Sequence, residues 1–103
     1  MVSYNVTIII NLDKEKEWLT WMQEDHIPNI MMSGYFVEYR LWRLESLDES
    51  EGITYSFQLL CKDQETLDLY LQEKAVEFRN RLDKKFDPHF VSFRSRMRLI
   101  ESG

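Results

Sequence analysis

The stretch Trp18–Pro28, W-L-T-W-M-Q-E-D-H-I-P, is where residue types and spacing point to chemistry. Two indoles, a carboxylate and an imidazole fall within nine residues. At 100° per residue on a helix, Asp25 projects near the middle of a Trp18/Trp21/Met22 stripe, and His26 falls at its edge beside Met22 and Leu19. A carboxylate held on an apolar face is expected to have a raised pKa, and a neighbouring imidazole can titrate near neutrality. Together they make a candidate acid/base pair. The same residues also have plain structural roles. His26 can cap a helix interrupted at Pro28, and Asp25 can pair with Lys74, Arg79 or Arg81.

Few other chemistries are available. His26 and His89 are the only histidines and Cys61 is the only thiol, so no zinc-type ligand set and no internal disulfide can be composed. There is no phosphate-cradling glycine motif, and no nucleophile elbow. No metal or cofactor is expected. Net charge is -5, from 13 basic and 18 acidic residues. That balance disfavours nucleic acid, despite the basic row Arg94, Arg96 and Arg98. No leader peptide and no membrane-length apolar run is seen, and the expected location is cytoplasmic.

The elements that must position the cluster follow from hydrophobic period. Tyr4, Val6, Ile8 and Ile10 alternate as a strand with one apolar face. A helix then starts near Lys14, with Asp13 as its cap, and breaks before Pro28, because a residue preceding proline is pushed out of the α region. A further turn over Asn29 to Ser33 closes at Gly34. Tyr35–Leu44 and Ile53–Cys61 read as two strands joined by a loop over Glu45–Gly52. Asp63 caps a second helix in which Leu67, Tyr70, Leu71, Ala75, Phe78 and Leu82 keep helical spacing over four turns. Phe90–Ile100 is the last strand, with Val91, Phe93, Met97 and Leu99 expected toward the helices.

The order βαββαβ in one domain of 103 residues gives an α+β, ferredoxin-like sandwich: a four-stranded antiparallel sheet with two helices on one face. The other face is then expected to carry Asn5, Thr7, Ile9, Phe36, Glu38, Arg40 and Trp42. Ser56, Gln58, Leu60, Phe90, Arg94 and Arg96 complete it. Such a mixed but aromatic surface calls for a partner sheet, with Glu38 facing arginines across a two-fold axis.

W-x-x-W-M-x-E-x-H-I-P, the G-I-T-Y-S-F run at Gly52–Phe57 and the late F-V-S-F-R together resemble an uncharacterised bacterial family known only as a domain of unknown function. More distantly, a helix-borne H-x-P followed by glycine and a strand is similar to the dimeric α/β-barrel superfamily, which includes antibiotic-biosynthesis-type monooxygenases, EthD-like proteins, muconolactone isomerases and polyketide cyclases. The resemblance implies the sandwich fold and a homodimer joined through the sheets. It also implies a pocket between helices and sheet for a small apolar or aromatic molecule. Carried onto this chain, Trp18, Trp21, Met22, Tyr39, Tyr55, Tyr70 and Phe78 would line it beside His26. The same residues would serve equally as an aromatic core. The sequence therefore leaves two functions open. One is a non-catalytic small-molecule-binding or regulatory module. The other is a monooxygenase-, isomerase- or cyclase-like enzyme using His26 and Asp25.

Overall fold

The structure is a computed structural model that describes residues 1–46 and 48–103. Strand β1 is Val2–Ile10, β2 Glu38–Leu44, β3 Ile53–Cys61 and β4 Phe90–Arg98. They form one antiparallel sheet in the order β2-β3-β1-β4. Helix α1 (Glu15–Trp21) and α2 (Ile27–Met32) follow β1, while α3 (Gln64–Glu73) and α4 (Ala75–Phe86) follow β3. All the helices cover one face, so the split βαβ arrangement expected from the sequence is the one observed. The core lies in the layer between, where Ile8, Ile10, Trp18, Met22, Phe57, Leu59, Leu67, Leu82 and Phe86 are buried. Of the loop expected over Glu45–Gly52, Leu47 lies outside the described residues.

The first helical segment does not break at Pro28. Between α1 and α2 the chain makes a wide π turn over Met22–His26, in which the Ile27 N–H donates to the Met22 carbonyl five residues back. Ile27 keeps helical angles, φ -62° and ψ -48°. A proline ring normally collides with the carbonyl four residues earlier. Here Pro28 follows the wide turn and sits in the first turn of α2, where a missing N–H is tolerated. Gly34, at φ 85°, ends the segment in the left-handed region, as its position predicts.

The second helical segment is interrupted where the periodicity runs on. Lys74 leaves helical geometry at φ -129° and ψ -24°, separating α3 from α4. Asp63 caps α3 as expected, its carboxylate accepting from the Thr66 N–H at 2.8 Å.

The largest correction concerns β4. Phe90 stands opposite Ile10, Ser92 opposite Ile8, Arg94 opposite Val6 and Arg96 opposite Tyr4. These residues therefore share the helix-covered face with the core of β1. Val91, Phe93, Ser95 and Met97 stand opposite Ile9, Thr7, Asn5 and Ser3, on the open face. Strand periodicity groups residues by face, but only the register says which face is covered. Here β4 is an edge strand, and its helix-side arginines reach polar partners: Arg96 donates to Asp68 of α3 at 2.7 Å. Phe36 is corrected as well. It precedes β2, turns inward and is buried, 4.7 Å from the Tyr70 ring. Glu38 pairs with Arg40 of its own strand at 2.9 Å.

The turn into β3 depends on Gly52. Its φ is 141°, and a Cβ there would lie 2.7 Å from the Ile10 carbonyl oxygen. Gly52→Ala is therefore expected to lower stability by more than about 1 kcal/mol. A thermal melt unchanged from that of the parent would contradict this account of the turn.

Candidate functional site

The π turn fixes the geometry of His26. One extra residue in the turn rotates the side chain inward, so that His26 is buried although it directly follows exposed Glu24 and half-buried Asp25 in sequence. Its ring stacks on Trp21 with centroids 4.5 Å apart and meets Phe78 edge-on at 5.9 Å. Its Nδ1 is buried with no hydrogen-bond partner among the described residues. Burial, reinforced by the positive charges of Arg81 and Arg94 and opposed by Asp25, pushes the imidazole pKa down to about 4. At neutral pH His26 is uncharged.

Asp25 is turned the other way. Its carboxylate accepts from Arg81 at 2.7 Å and from the Asn29 amide at 2.6 Å. The Arg81 hydrogen bond holds the carboxyl below its ordinary range. This corrects the expectation of a buried, raised carboxylate: the wide turn breaks the 100° spacing on which that placement relied. Asp25 and His26 are neighbours in sequence but do not form a hydrogen-bonded pair.

His26 borders a cavity of about 20 Å³ in the layer between helices and sheet. Met22 and Ile30 come from the first helical segment, Tyr70 from α3, and Ala75, Phe78 and Arg79 from α4. The sheet supplies Tyr4, Val6, Phe57 and Arg94. That volume holds one or two waters, not a whole aromatic molecule. Burial raises the Tyr70 phenol pKa, helped by Tyr4 and Cys61 and opposed by Arg94. Two tyrosines, an imidazole and two guanidinium groups thus surround one small space.

Of the pocket residues suggested by the sequence, His26, Met22, Tyr70 and Phe78 meet at this cavity. Trp21 backs His26 from outside. Trp18 and Tyr55 pack against each other at 4.7 Å in a different part of the core. The Tyr55 hydroxyl donates to Glu15 at 2.6 Å, and burial pushes its pKa up to about 12. Tyr39 is half-exposed on β2, with its ring 6.4 Å from that of Phe57. Tyr4, Arg79 and Arg94 were not among the candidates. Arg94 was visible as part of the basic row, but its assignment to the wrong face of β4 hid its place beside His26.

No curated protein matches the sequence. Solved structures match its fold over nearly the full length. An antibiotic biosynthesis monooxygenase superposes with a TM-score of 0.69 at 16% identity, covering 98% of this chain and 100% of its own. HapK from Hahella chejuensis gives 0.73 at 12% identity, over 100% of this chain and 96% of HapK. A dimeric ferredoxin-like protein from an uncultured marine organism gives 0.71 at 13% identity, covering 98% of this chain and 96% of that one. At these identities the likeness establishes the ferredoxin-like fold. No helix is long and apolar enough to cross a membrane among the described residues. Residues 1–100 match the family described as a domain of unknown function, DUF4286, and the chain belongs to that family.

Proposed function

We propose that this protein is a cytoplasmic, homodimeric and non-catalytic module, joined through the open faces of two sheets and binding a small molecule at the cavity beside His26. The dimer is supported by the composition of the uncovered face. Trp42, Ser56, Thr7 and Phe93 form one cross-sheet row, and Leu44, Thr54, Ile9 and Val91 form the next. Trp42 is 58% exposed and Phe93 62%. Exposed aromatics and aliphatics of this kind, on a sheet whose other face is covered by the helices, mark an association surface. The face is more apolar than the sequence alone suggests, since β4 contributes Val91, Phe93 and Met97 instead of arginines. A groove of about 740 Å³ continues it beneath residues 97–102, over Glu38, Arg40, Gln58 and Leu60. The structural neighbour described as a dimeric ferredoxin-like protein supports the same assembly. A lone buried thiol, Cys61, suits a reducing compartment.

The non-catalytic part of the reading rests on the separation of Asp25 from His26. Asp25 is committed to Arg81 and Asn29, and a general base without an orienting partner lacks the arrangement that proton-transfer catalysis uses.

Light scattering on the eluting protein tests the assembly. A particle of twice the 12.5 kDa chain mass is expected at micromolar concentration. Trp42→Glu combined with Phe93→Glu is expected to weaken association at least about 30-fold, the equivalent of losing one interface hot spot of ~2 kcal/mol. A monomeric parent protein, or a double variant that dimerises as well as the parent, would overturn the proposal.

A further inference from the structure

We propose that the cavity beside His26 is an anion-recognition site, built to take the carboxylate head of a small organic acid between Arg94, Arg79 and Tyr70. This rests on the reading of that cavity as a binding pocket and adds the chemical class of its ligand.

The first argument is charge. No aspartate or glutamate lines the cavity, while two arginines do. Among the described residues, ion pairs engage Arg40, Arg43, Arg81 and Arg96. Among the described residues, neither cavity arginine has a carboxylate partner. Arg94 is half-buried on the helix-covered face of β4, and its one side-chain bond is to the Ser92 hydroxyl at 3.0 Å. A partly desolvated guanidinium with no counter-charge is an incomplete arrangement, and an incoming carboxylate completes it with charge-assisted hydrogen bonds.

The second argument is independent of charge. His26 is 95% buried, as its 5% exposure shows, and its Nδ1 has no partner. A buried polar atom left unpaired, on a residue that lines a cavity large enough for a water-sized group, points to a place where a polar group belongs. The volume of about 20 Å³ suits a carboxylate head and excludes a whole aromatic ring. The rest of an acid would extend past Arg79, which is exposed in the second turn of α4.

Acetate and its neutral isostere acetamide separate the possibilities. In a titration at constant ionic strength, followed by the NMR shifts of the Tyr70 ring and the His26 imidazole, acetate is expected to produce saturable shifts in the millimolar range. Acetamide is expected to bind at least tenfold more weakly. Arg94→Gln is expected to lose at least tenfold in acetate affinity, whereas Arg98→Gln, on the same strand but outside the cavity, is expected to match the parent. Arg79→Gln gives a second, surface-exposed variant should Arg94→Gln fold poorly, and a several-fold loss is expected from it. Equal binding of acetate and acetamide would overturn anion recognition while leaving a binding pocket. No saturable shift with either would remove the pocket reading too. Acetate affinity unchanged in both arginine variants would overturn the assignment of the site.

Discussion

Replacing Trp18 with alanine is expected to cost the fold about 3–5 kcal/mol, the usual penalty for emptying a large aromatic site in a packed core. Trp18 has no exposed surface and contacts the Tyr55 ring at 4.7 Å. It does not border the His26 cavity, so the loss should appear in urea unfolding and not in ligand affinity. Trp18→Phe is expected to be much milder, below about 2 kcal/mol. The indole Nε1 is buried without a partner, and its removal relieves the desolvation cost of an unpaired donor. The midpoints must be compared at one protein concentration, because dimerisation would make them concentration-dependent. A Trp18→Ala variant as stable as the parent would mean that this indole lines a site and is not core.

Acidification should reveal His26 with an effect of similar size. Its pKa moves from 6.5 to about 4 on folding, so between those values the unfolded chain binds a proton that the native protein refuses. The stability contribution is therefore complete above pH 6.5 and declines as pH falls toward 4, by about 3 kcal/mol over the full window. The carboxylates held low, Asp25 through Arg81, Asp48 through Ser50 and Asp63 through Thr66, lose their contributions below the ordinary aspartate range and do not produce this slope. Unfolding free energy measured at pH 7.5 and pH 4.5 should fall by about 2–3 kcal/mol in the parent protein. His26→Phe keeps an aromatic ring against Trp21 but cannot take up a proton, and its profile should be nearly flat. The same slope in His26→Phe would assign the effect to other groups.

The two substitutions divide the aromatic residues that sequence spacing grouped together. Trp18 and Tyr55 are expected to act through stability alone. His26, Tyr70 and Arg94 are expected to act through ionisation and ligand affinity as well. Trp21 stands between the groups, since it stacks on His26 and also bounds a shallow surface hollow with Asp25, Arg81, Lys84 and Lys85.

The sequence by itself determined the order of elements, the bounds of β3 and the cap at Asp63. It also determined the apolar faces of β1 and the later helices, and the position of Gly34 at a helix end. Each of these is a local property: alternation, helical spacing, or a backbone angle that one residue type tolerates. Tertiary structure decided what local spacing leaves open. Which face of β4 meets the helices depends on Phe90 pairing with Ile10, and a shift of one residue would exchange every side chain between layers. The direction of His26 depends on the π turn at Met22–His26, whose extra residue per turn is invisible to a rule of 100° per residue. Those two non-local choices brought Arg94 and His26 to one cavity, sent Asp25 to Arg81, and placed Val91, Phe93 and Met97 on the open face of the sheet.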